Sequence, residues 1–135
     1  MANQFIPYGR QHITQTDIDS VVAVLQSDFL TQGSQVPAFE ERVATYTGAK
    51  FGVAVNSATS ALHIACLALG LGQGEKGKDD WLWTTPITFT ASANCGLYCG
   101  ANIDFVDIDP LTLNMSINAL EEKLQLADAE NRLPK

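Results

Sequence analysis

The sequence predicts an α/β protein with a parallel sheet, because short β-prone runs alternate with helical segments over most of its 135 residues. The alternating segments are a strand at 51–55, a helix at 59–69, a strand at 81–85, a helix at 89–99, a strand at 103–108 and a helix at 117–127. Glycines follow the first two of these helices, and Pro86 ends the second strand. Strands joined by helical connections lie parallel in one sheet, so residues 51–127 are expected to form a layered α/β domain.

Residues 1–50 are predicted to form an arm followed by two helices. Thr16 is expected to cap the first helix, with Asp19 at the capping-box position. The second helix is expected over 35–47, because its apolar residues share one face and Gly48 follows as a stop signal. The charged tail at 128–135 is expected to fray.

Composition and charge argue against several classes of partner. The net charge is −7 with only eight Lys and Arg residues, so no nucleic-acid partner is expected. The chain has no apolar run long enough to cross a bilayer, and its first residues lack a signal-peptide pattern, so a cytoplasmic location without a membrane partner is expected. The three cysteines are predicted to be buried and reduced, and no metal site is predicted because the two histidines are distant.

The segment from 51 to 63 carries the clearest functional signal. An apolar strand runs into Ser57, Ala58, Thr59 and Ser60, which are followed directly by a helical segment. Unpaired amides, hydroxyl groups and the positive end of a helix dipole together suit a phosphate group. The alternative is that Ser57 or Thr59 is only an N-cap residue.

Phe89 follows the carboxyl end of the second predicted strand, as the turn at 56–60 follows the first. Ligands of parallel α/β sheets gather at that edge, so Phe89 could place a flat ring beside the bound phosphate. An ordinary core aromatic is the alternative. The glycine-rich loop at 72–78 is rejected as a P-loop, because it follows a helix and has Asp79 where Ser or Thr is needed.

These features together resemble the DegT/DnrJ/EryC1/StrS family of sugar aminotransferases, over residues 5 to about 125. The matching motifs are Leu30-Thr31-Gln32-Gly33, Phe39-Glu40, Tyr46-x-Gly48, residues 56–63, Ala68-Leu69-Gly70, Thr85-Pro86-x-Thr88-Phe89 and Gly100-Ala101-x-x-x-Phe105-Val106-Asp107-Ile108. The resemblance implies the amino-terminal portion of the three-layer αβα large domain of the aspartate-aminotransferase-like fold (PLP fold type I). It also implies pyridoxal 5'-phosphate (PLP) as the cofactor, and a homodimer.

The resemblance assigns roles to individual residues. Ser57, Ala58 and Thr59 match the cofactor-phosphate site, and Phe89 matches the residue that stacks on the pyridine ring. Substrate-contacting positions of the family match Tyr8, Asp28, Phe29, Leu30 and Thr31. The segment at 81–89 is most similar to the pseudaminic-acid branch. That branch transfers an amino group, with glutamate the expected donor, to C4 of a UDP-linked 4-keto-6-deoxy sugar.

No catalytic residue is assigned, since the family's Schiff-base lysine lies farther along the chain than residue 135. The lysines present here are Lys50, Lys76, Lys78, Lys123 and Lys135. None of them is predicted to lie at the cofactor edge, so this chain alone is expected to be inactive. The alternative function is a non-catalytic module that binds a phosphorylated ligand or a partner chain.

Overall fold

The computed structural model describes residues 7–73 and 79–135, and the chain divides into two compact units, Met1–Ala54 and Val55–Lys135. The helices and strands in chain order are α1 (Gln15–Leu25), α2 (Gln35–Thr47), α3 (Ala58–Ala68), β1 (Trp81–Thr84), α4 (Ala91–Tyr98), β2 (Asn102–Phe105) and α5 (Ile117–Ala129). Within the described ranges no helix combines the length and the apolar character needed to cross a membrane.

The first helix of the first unit begins two residues earlier than predicted. Thr14, not Thr16, is its N-cap, with extended backbone at φ −96° and ψ 167°. The backbone amide of Thr14 donates to Asp17 Oδ2 at 2.7 Å, and Thr14 Oγ1 accepts from the Asp17 amide at 3.4 Å. The same Thr-x-x-Asp spacing occurs in both pairs, Thr14 with Asp17 and Thr16 with Asp19, so spacing alone could not choose between them.

The second helix has the predicted bounds, and Gly48 ends it in the left-handed conformation at φ 73°. The predicted strand at 51–55 is absent, which corrects the sequence prediction. Phe51 and Val53 are 75% and 76% exposed, and no described strand pairs with them. Strand propensity depends on a neighbouring strand to pack and bond against, so β-prone residues without one stay irregular.

Residues 51–54 are instead fastened to α2 through Glu40. The Ala54 amide donates to Glu40 Oε1 at 2.8 Å. Gly52 passes so close to α2 that a Cβ at this position would lie 2.6 Å from the Glu40 carbonyl oxygen. One side-chain hydrogen bond and the close approach of the two backbones therefore hold this segment against α2. It forms no β-ladder.

The second unit has a parallel pair of strands between helices on its two faces. β1 pairs with β2 in parallel, with Trp81 opposite Asn102 and Thr84 opposite Phe105. Leu82 and Ile103 meet α4 at Gly96, where a Cβ would lie 2.6 Å from Ile103 Cδ1. Because strand side chains alternate between faces, the tryptophans of β1 point the other way, Trp83 toward Lys123 of α5 and Trp81 toward Arg132. The αβα layering predicted from the sequence is present in this unit.

The buried cluster of this unit lies between α3 and α4. Its members are Cys66, Leu71, Cys95 and Ala101, with Leu82 and Cys99 packed against them. Burial raises the pKa of the Cys66 thiol to about 11, and the neighbouring Cys95 thiol adds to the shift. The cysteines are free thiols, and Cys66 stays protonated at neutral pH and packs as an apolar side chain.

The carboxyl-terminal residues contact β1 and its neighbouring loops, within the range 128–135 where the sequence predicts fraying. Helix α5 continues to Ala129, and the Lys135 amide donates to the Trp81 carbonyl oxygen at 3.0 Å. Lys135 Nζ reaches Asp80 Oδ2 at 2.9 Å and the Gly70 carbonyl oxygen at 2.7 Å. These partners are 54 to 65 residues away in sequence, so local composition could not reveal them.

The Lys123 side chain holds helix α5 to the sheet through two hydrogen-bond acceptors and an aromatic ring. Lys123 Nζ lies 2.7 Å from Asp104 Oδ2, donates to the Phe105 carbonyl oxygen at 2.6 Å and sits 5.1 Å from the Trp83 ring centroid. The Lys123 ammonium holds the pKa of the Asp104 carboxyl below its usual value. Asp104 is thus the ion-pair partner of Lys123 and not a fully solvated carboxylate at the strand end.

Acid is expected to weaken this attachment. A depressed folded-state pKa contributes stability above the unfolded value of about 4, and that contribution is lost as the pH falls through the folded pKa. For a pair this exposed we expect a contribution of about 0.2–1 kcal/mol. Unfolding midpoints measured from pH 7 to pH 2 should therefore fall more steeply below pH 4 for the unaltered chain than for Asp104→Asn. Parallel curves for the two proteins would contradict the role given to Asp104.

Candidate functional site

The predicted phosphate site lies at the start of α3, and the structure resolves which residue caps the helix. Ser57 is the N-cap, with extended backbone, and its Oγ accepts from the Ser60 amide at 3.2 Å. Within the described chain the amides of Ala58 and Thr59 and the Thr59 hydroxyl have no hydrogen-bond partner. Three donors thus remain free at the positive end of a helix, an arrangement suited to an anion.

Two further residues shape this turn, and the sequence prediction gave neither of them a role of its own. Ser60 Oγ donates to Asn56 Oδ1 at 2.7 Å and lies 3.1 Å from Ser57 Oγ. The signal was present in the sequence, since Asn and Ser side chains readily bond within four residues at helix starts. We call residues 56–60 the phosphate turn.

Phe89 lies in the segment between β1 and α4, and its side chain is 67% exposed. It is therefore not part of a core formed by the described residues. The Phe89 carbonyl oxygen accepts from the Ser92 amide at 2.9 Å, which fixes its backbone to the first turn of α4. Helices α3 and α4 pack together, and His63 meets Tyr98 edge-on with ring centroids 5.4 Å apart. His63 thus packs between the two helices.

The predicted substrate residues belong to the first unit. Asp28 and Phe29 line a cavity of about 440 Å³, together with Ser20, Ser27 and Ser34. Leu30 and Thr31 lie in the same loop but not in that lining, and Tyr8 is fully exposed in the arm. The cavity wall offers hydroxyl groups, one carboxylate and one aromatic ring, which suit a polar ligand with a flat or hydroxylated part.

Other sequence candidates carry no site in the described residues. No group of three or more His, Cys, Asp or Glu side chains that could hold a metal ion occurs in ranges 7–73 and 79–135. Asp109 accepts from the amides of Leu111 and Thr112, which lowers the pKa of its carboxyl and shapes a turn. The glycine-rich loop at 72–78 lies mostly outside the described residues.

Comparison with known proteins identifies the family. The model of the DegT/DnrJ/EryC1/StrS aminotransferase family matches residues 11–127. The chain belongs to this family. The residues of the phosphate turn, Phe89 and the loop at 28–31 all fall inside the matched range.

Curated family members support the assignment and show its extent. The chain is 45% identical over 103 residues to the UDP-4-amino-4,6-dideoxy-N-acetyl-beta-L-altrosamine transaminase of Campylobacter jejuni subsp. jejuni serotype O:23/36 (strain 81-176), covering 76% of this chain and 26% of that protein. It is 40% identical over 119 residues to the spore coat polysaccharide biosynthesis protein SpsC of Bacillus subtilis (strain 168), covering 88% and 29%. The chain thus spans between a quarter and a third of the length of these relatives.

Solved structures of the family share the fold. The PLP-form of Spr1654 from Streptococcus pneumoniae matches with a TM-score of 0.77 and 33% identity, covering 87% of this chain and 29% of that one. Helicobacter pylori PseC, an aminotransferase involved in the biosynthesis of pseudoaminic acid, matches with a TM-score of 0.75 and 33% identity, covering 86% and 30%. These matches confirm the predicted fold class, the amino-terminal part of a PLP fold type I domain.

Proposed function

We propose that this chain is the cofactor-phosphate-binding part of a PLP-dependent sugar aminotransferase. The observation that carries the proposal is the set of free donors at the start of α3, the amides of Ala58 and Thr59 and the Thr59 hydroxyl, within a chain of this family. A phosphate dianion offers several acceptor oxygens, and charge-assisted bonds from helix-start amides suit it well. When bound, PLP supplies the electron-withdrawing ring and carbonyl that amino transfer requires.

The whole enzyme is proposed to transfer an amino group, with glutamate as donor, to C4 of a UDP-linked 4-keto-6-deoxy sugar. Support comes from the identity to the Campylobacter transaminase and from the similarity to PseC. Tyr8 and the loop Asp28–Thr31 are proposed to contact the nucleotide sugar, and the cavity beside Asp28 and Phe29 supports this for the loop. Cell-surface glycan synthesis of the pseudaminic-acid type, in the cytoplasm, is the proposed setting.

The cofactor proposal is tested by comparing PLP with pyridoxal, which has the same ring but no phosphate. Isothermal titration calorimetry of the 135-residue chain is expected to give at least tenfold tighter binding for PLP, since hydrogen bonds to a charged group contribute about 1.5–3 kcal/mol. Inorganic phosphate should compete with PLP. Equal affinities for PLP and pyridoxal would overturn the proposed cofactor site.

Phe89 is proposed to stack on the pyridine ring of the cofactor. Its exposed ring and its fixed backbone support this role. Phe89→Ala should weaken PLP and pyridoxal by the same factor, about three- to tenfold, because stacking involves the ring and not the phosphate. Phe89→Tyr, which keeps the aromatic face, is the matched control and should bind both ligands as the unaltered chain does. A loss confined to PLP would refute stacking.

The chain alone is proposed not to complete amino transfer. Lys123 and Lys135 are each engaged by a carboxylate, and Lys50 lies in the other unit, 5.1 Å from the Phe51 ring centroid. Borohydride treatment with PLP, followed by peptide mass spectrometry, is expected to find no uniquely modified lysine. Modification of one lysine in stoichiometric amount would contradict the proposal. Phosphate-selective PLP binding without amino transfer would equally fit the alternative, a non-catalytic binding module.

Homodimer formation is also proposed. Both helices of the first unit carry apolar side chains that are 41–63% exposed, namely Ile18, Val21, Val22, Leu25, Val36, Phe39 and Val43. Exposed apolar helix faces are commonly covered when a protein associates with another chain. Sedimentation velocity should detect a dimer or a larger species, and a single monomeric boundary at 100 μM or so would contradict association.

A further inference from the structure

We propose that Cys66 and Cys99 form a redox-sensitive pair, which a hydroperoxide converts into a disulfide bridge between α3 and α4. The proposal concerns the second unit and is independent of cofactor binding. It rests on the placement of three thiols on two packed helices, on the pairs that these thiols can form, and on a cavity beside Cys66.

All three cysteines of the chain lie where α3 and α4 pack together. Cys66 belongs to α3 and Cys95 to α4, and both are members of the buried cluster. Cys99 is the C-cap residue of α4 and packs against that cluster. The three are free thiols, so oxidation of any two of them would leave a new bridge at this contact.

Helix geometry argues against a bridge within α4. Cys95 and Cys99 are four residues apart, and side chains at this spacing on a helix have Cβ atoms about 5–6 Å apart. A disulfide requires about 3.5–4.5 Å between its Cβ atoms. The Cys95 thiol also points back along α4, where Sγ donates to the Ser92 carbonyl oxygen at 3.4 Å. The bridge should therefore join α4 to Cys66, the one cysteine in the sequence of α3.

Cys99 is the thiol that an oxidant meets first. It is half-buried, whereas Cys95 is 3% exposed and Cys66 is 9% exposed. Burial raises the pKa of the Cys99 thiol and Cys95 raises it further, while a hydrogen bond from the Cys66 thiol acts in the opposite direction. Cys66 thus stabilises the thiolate of Cys99, the form that attacks a peroxide. Because the pKa stays above its ordinary value, the attack is slow at neutral pH.

A cavity beside Cys66 gives its side chain room to turn. The cavity has a volume of about 240 Å³ and is also lined by Leu69, Leu71, Leu82 and Lys135. Side chains in a close-packed interior have little free space in which to change rotamer. Cys66 borders such a space, and hydrogen peroxide is small and uncharged enough to enter an apolar cavity.

The reaction takes two steps. The Cys99 thiolate attacks one oxygen of hydrogen peroxide, the O–O bond breaks, and the hydroxide that leaves takes up a proton to become water. Cys99 is then a sulfenic acid. The Cys66 sulfur attacks the Cys99 sulfur, the S–S bond forms, the S–O bond breaks, and the departing hydroxide takes the Cys66 proton to become a second water. The two thiols are oxidised by two electrons, which reduce the peroxide.

The bridge would close the chain between residues 66 and 99, a stretch that contains β1 and the close approach of Gly72 to Cys99. Closing this loop lowers the conformational entropy of the unfolded chain and so stabilises the folded one. A thiol reductant reverses the bridge. The stability of the second unit would therefore follow the peroxide level.

Peptide mapping of the full chain tests the pairing. The reduced chain is treated with hydrogen peroxide, its remaining thiols are blocked with N-ethylmaleimide, and the monomer is digested with trypsin without reduction. Trypsin cleaves after Lys and Arg, so Cys66 falls in peptide 51–76 and the other two cysteines in peptide 79–123. We expect these peptides to be joined, with a mass about 2 Da below their sum.

Two serine variants show which cysteine of α4 is used. Cys99→Ser should lose the joined peptide, whereas the matched control Cys95→Ser should keep it. The opposite pattern, a closed loop within peptide 79–123, a bridge found only between two chains, or sulfinic and sulfonic acids without any bridge would each overturn the proposal.

Two further measurements do not depend on the serine variants. In Cys66→Ala the sulfenic acid has no thiol to attack it, so dimedone should label Cys99; labelling of Cys95 instead would overturn the order of the steps. In the unaltered chain, the urea midpoint should rise after peroxide treatment and return after dithiothreitol. An unchanged midpoint would overturn the effect on stability. Neither result depends on whether the chain binds PLP, so the proposed function is tested separately.

Discussion

Replacing Gly72 by alanine is expected to destabilise the second unit by more than about 3 kcal/mol, one of the largest effects of any single methyl group in this chain. The backbone of Gly72 is left-handed at φ +71°, which costs alanine about 1 kcal/mol. The added Cβ would also overlap the Cys99 carbonyl oxygen, so the two backbones must separate. Leu71, 5% exposed in the buried cluster, would lose its packing as they part. Urea unfolding followed by far-ultraviolet circular dichroism measures the loss.

Gly100→Ala is the matched control for this prediction. Gly100 is also left-handed, at φ +83°, but its Cβ would meet no atom within 4 Å. The control should therefore show only the backbone strain of about 1 kcal/mol. The difference between the two variants isolates the close approach of Gly72 to Cys99, and equal losses would show that this approach does not matter.

Replacing Thr59 by valine is expected to weaken PLP binding by about 10- to 100-fold, since a hydrogen bond to a charged group contributes about 1.5–3 kcal/mol. Valine keeps the shape of threonine and its helical backbone but has no hydroxyl hydrogen. Pyridoxal binding should be unchanged, because the proposed partner of the lost donor is the phosphate, which pyridoxal lacks. Calorimetric titration of both ligands measures the two affinities.

Thr59→Ser supplies the control, because it keeps the hydroxyl and removes only a methyl group. Its affinity for PLP should stay within about threefold of the unaltered chain. The unfolding midpoint of Thr59→Val should also change little, since the Thr59 hydroxyl has no partner in the described chain. A large fall in that midpoint would mean that Thr59 supports the fold and does not act on the ligand.

Helix positions were predictable because their signals are local. The second helix was expected over 35–47 and has those bounds, with Gly48 left-handed at its end as its stop signal requires. Ser116, directly before the helix predicted at 117–127, caps α5 by accepting from the Ala119 amide at 3.2 Å. The cap, the apolar stripe and the terminal glycine of a helix all lie within one short stretch of sequence. That stretch therefore contains the signals that set where the helix begins and ends.

The irregular backbone at 51–55, where the sequence predicts a strand, was not predictable in the same way. Its residues have strand propensity, but a strand forms only where another strand offers matching donors and acceptors. The attachments of Asp104 to Lys123 and of Asp80 to Lys135 were missed for a related reason, since 19 and 55 residues separate the partners. Contacts between distant residues depend on the folded geometry, which composition does not encode.

The helix start at 56–60 was located from the sequence, whereas the hydrogen bonds within it were not. The cluster of small and hydroxyl residues marks the start of a helix, but four candidate hydroxyl and amide side chains at 56–60 permit several capping arrangements. The folded geometry decides that Ser57 caps the helix and that Ser60 bonds to Asn56.

Both tryptophans of the chain lie on β1, each beneath a cation from the carboxyl-terminal segment, Trp81 under Arg132 and Trp83 under Lys123. Indole emission therefore comes from the Val55–Lys135 unit alone. A fluorescence melt that coincides with a circular dichroism melt would indicate that both units unfold together. A second circular dichroism transition that is absent from the fluorescence melt would report the unfolding of the first unit, and its midpoint would give the stability of that unit.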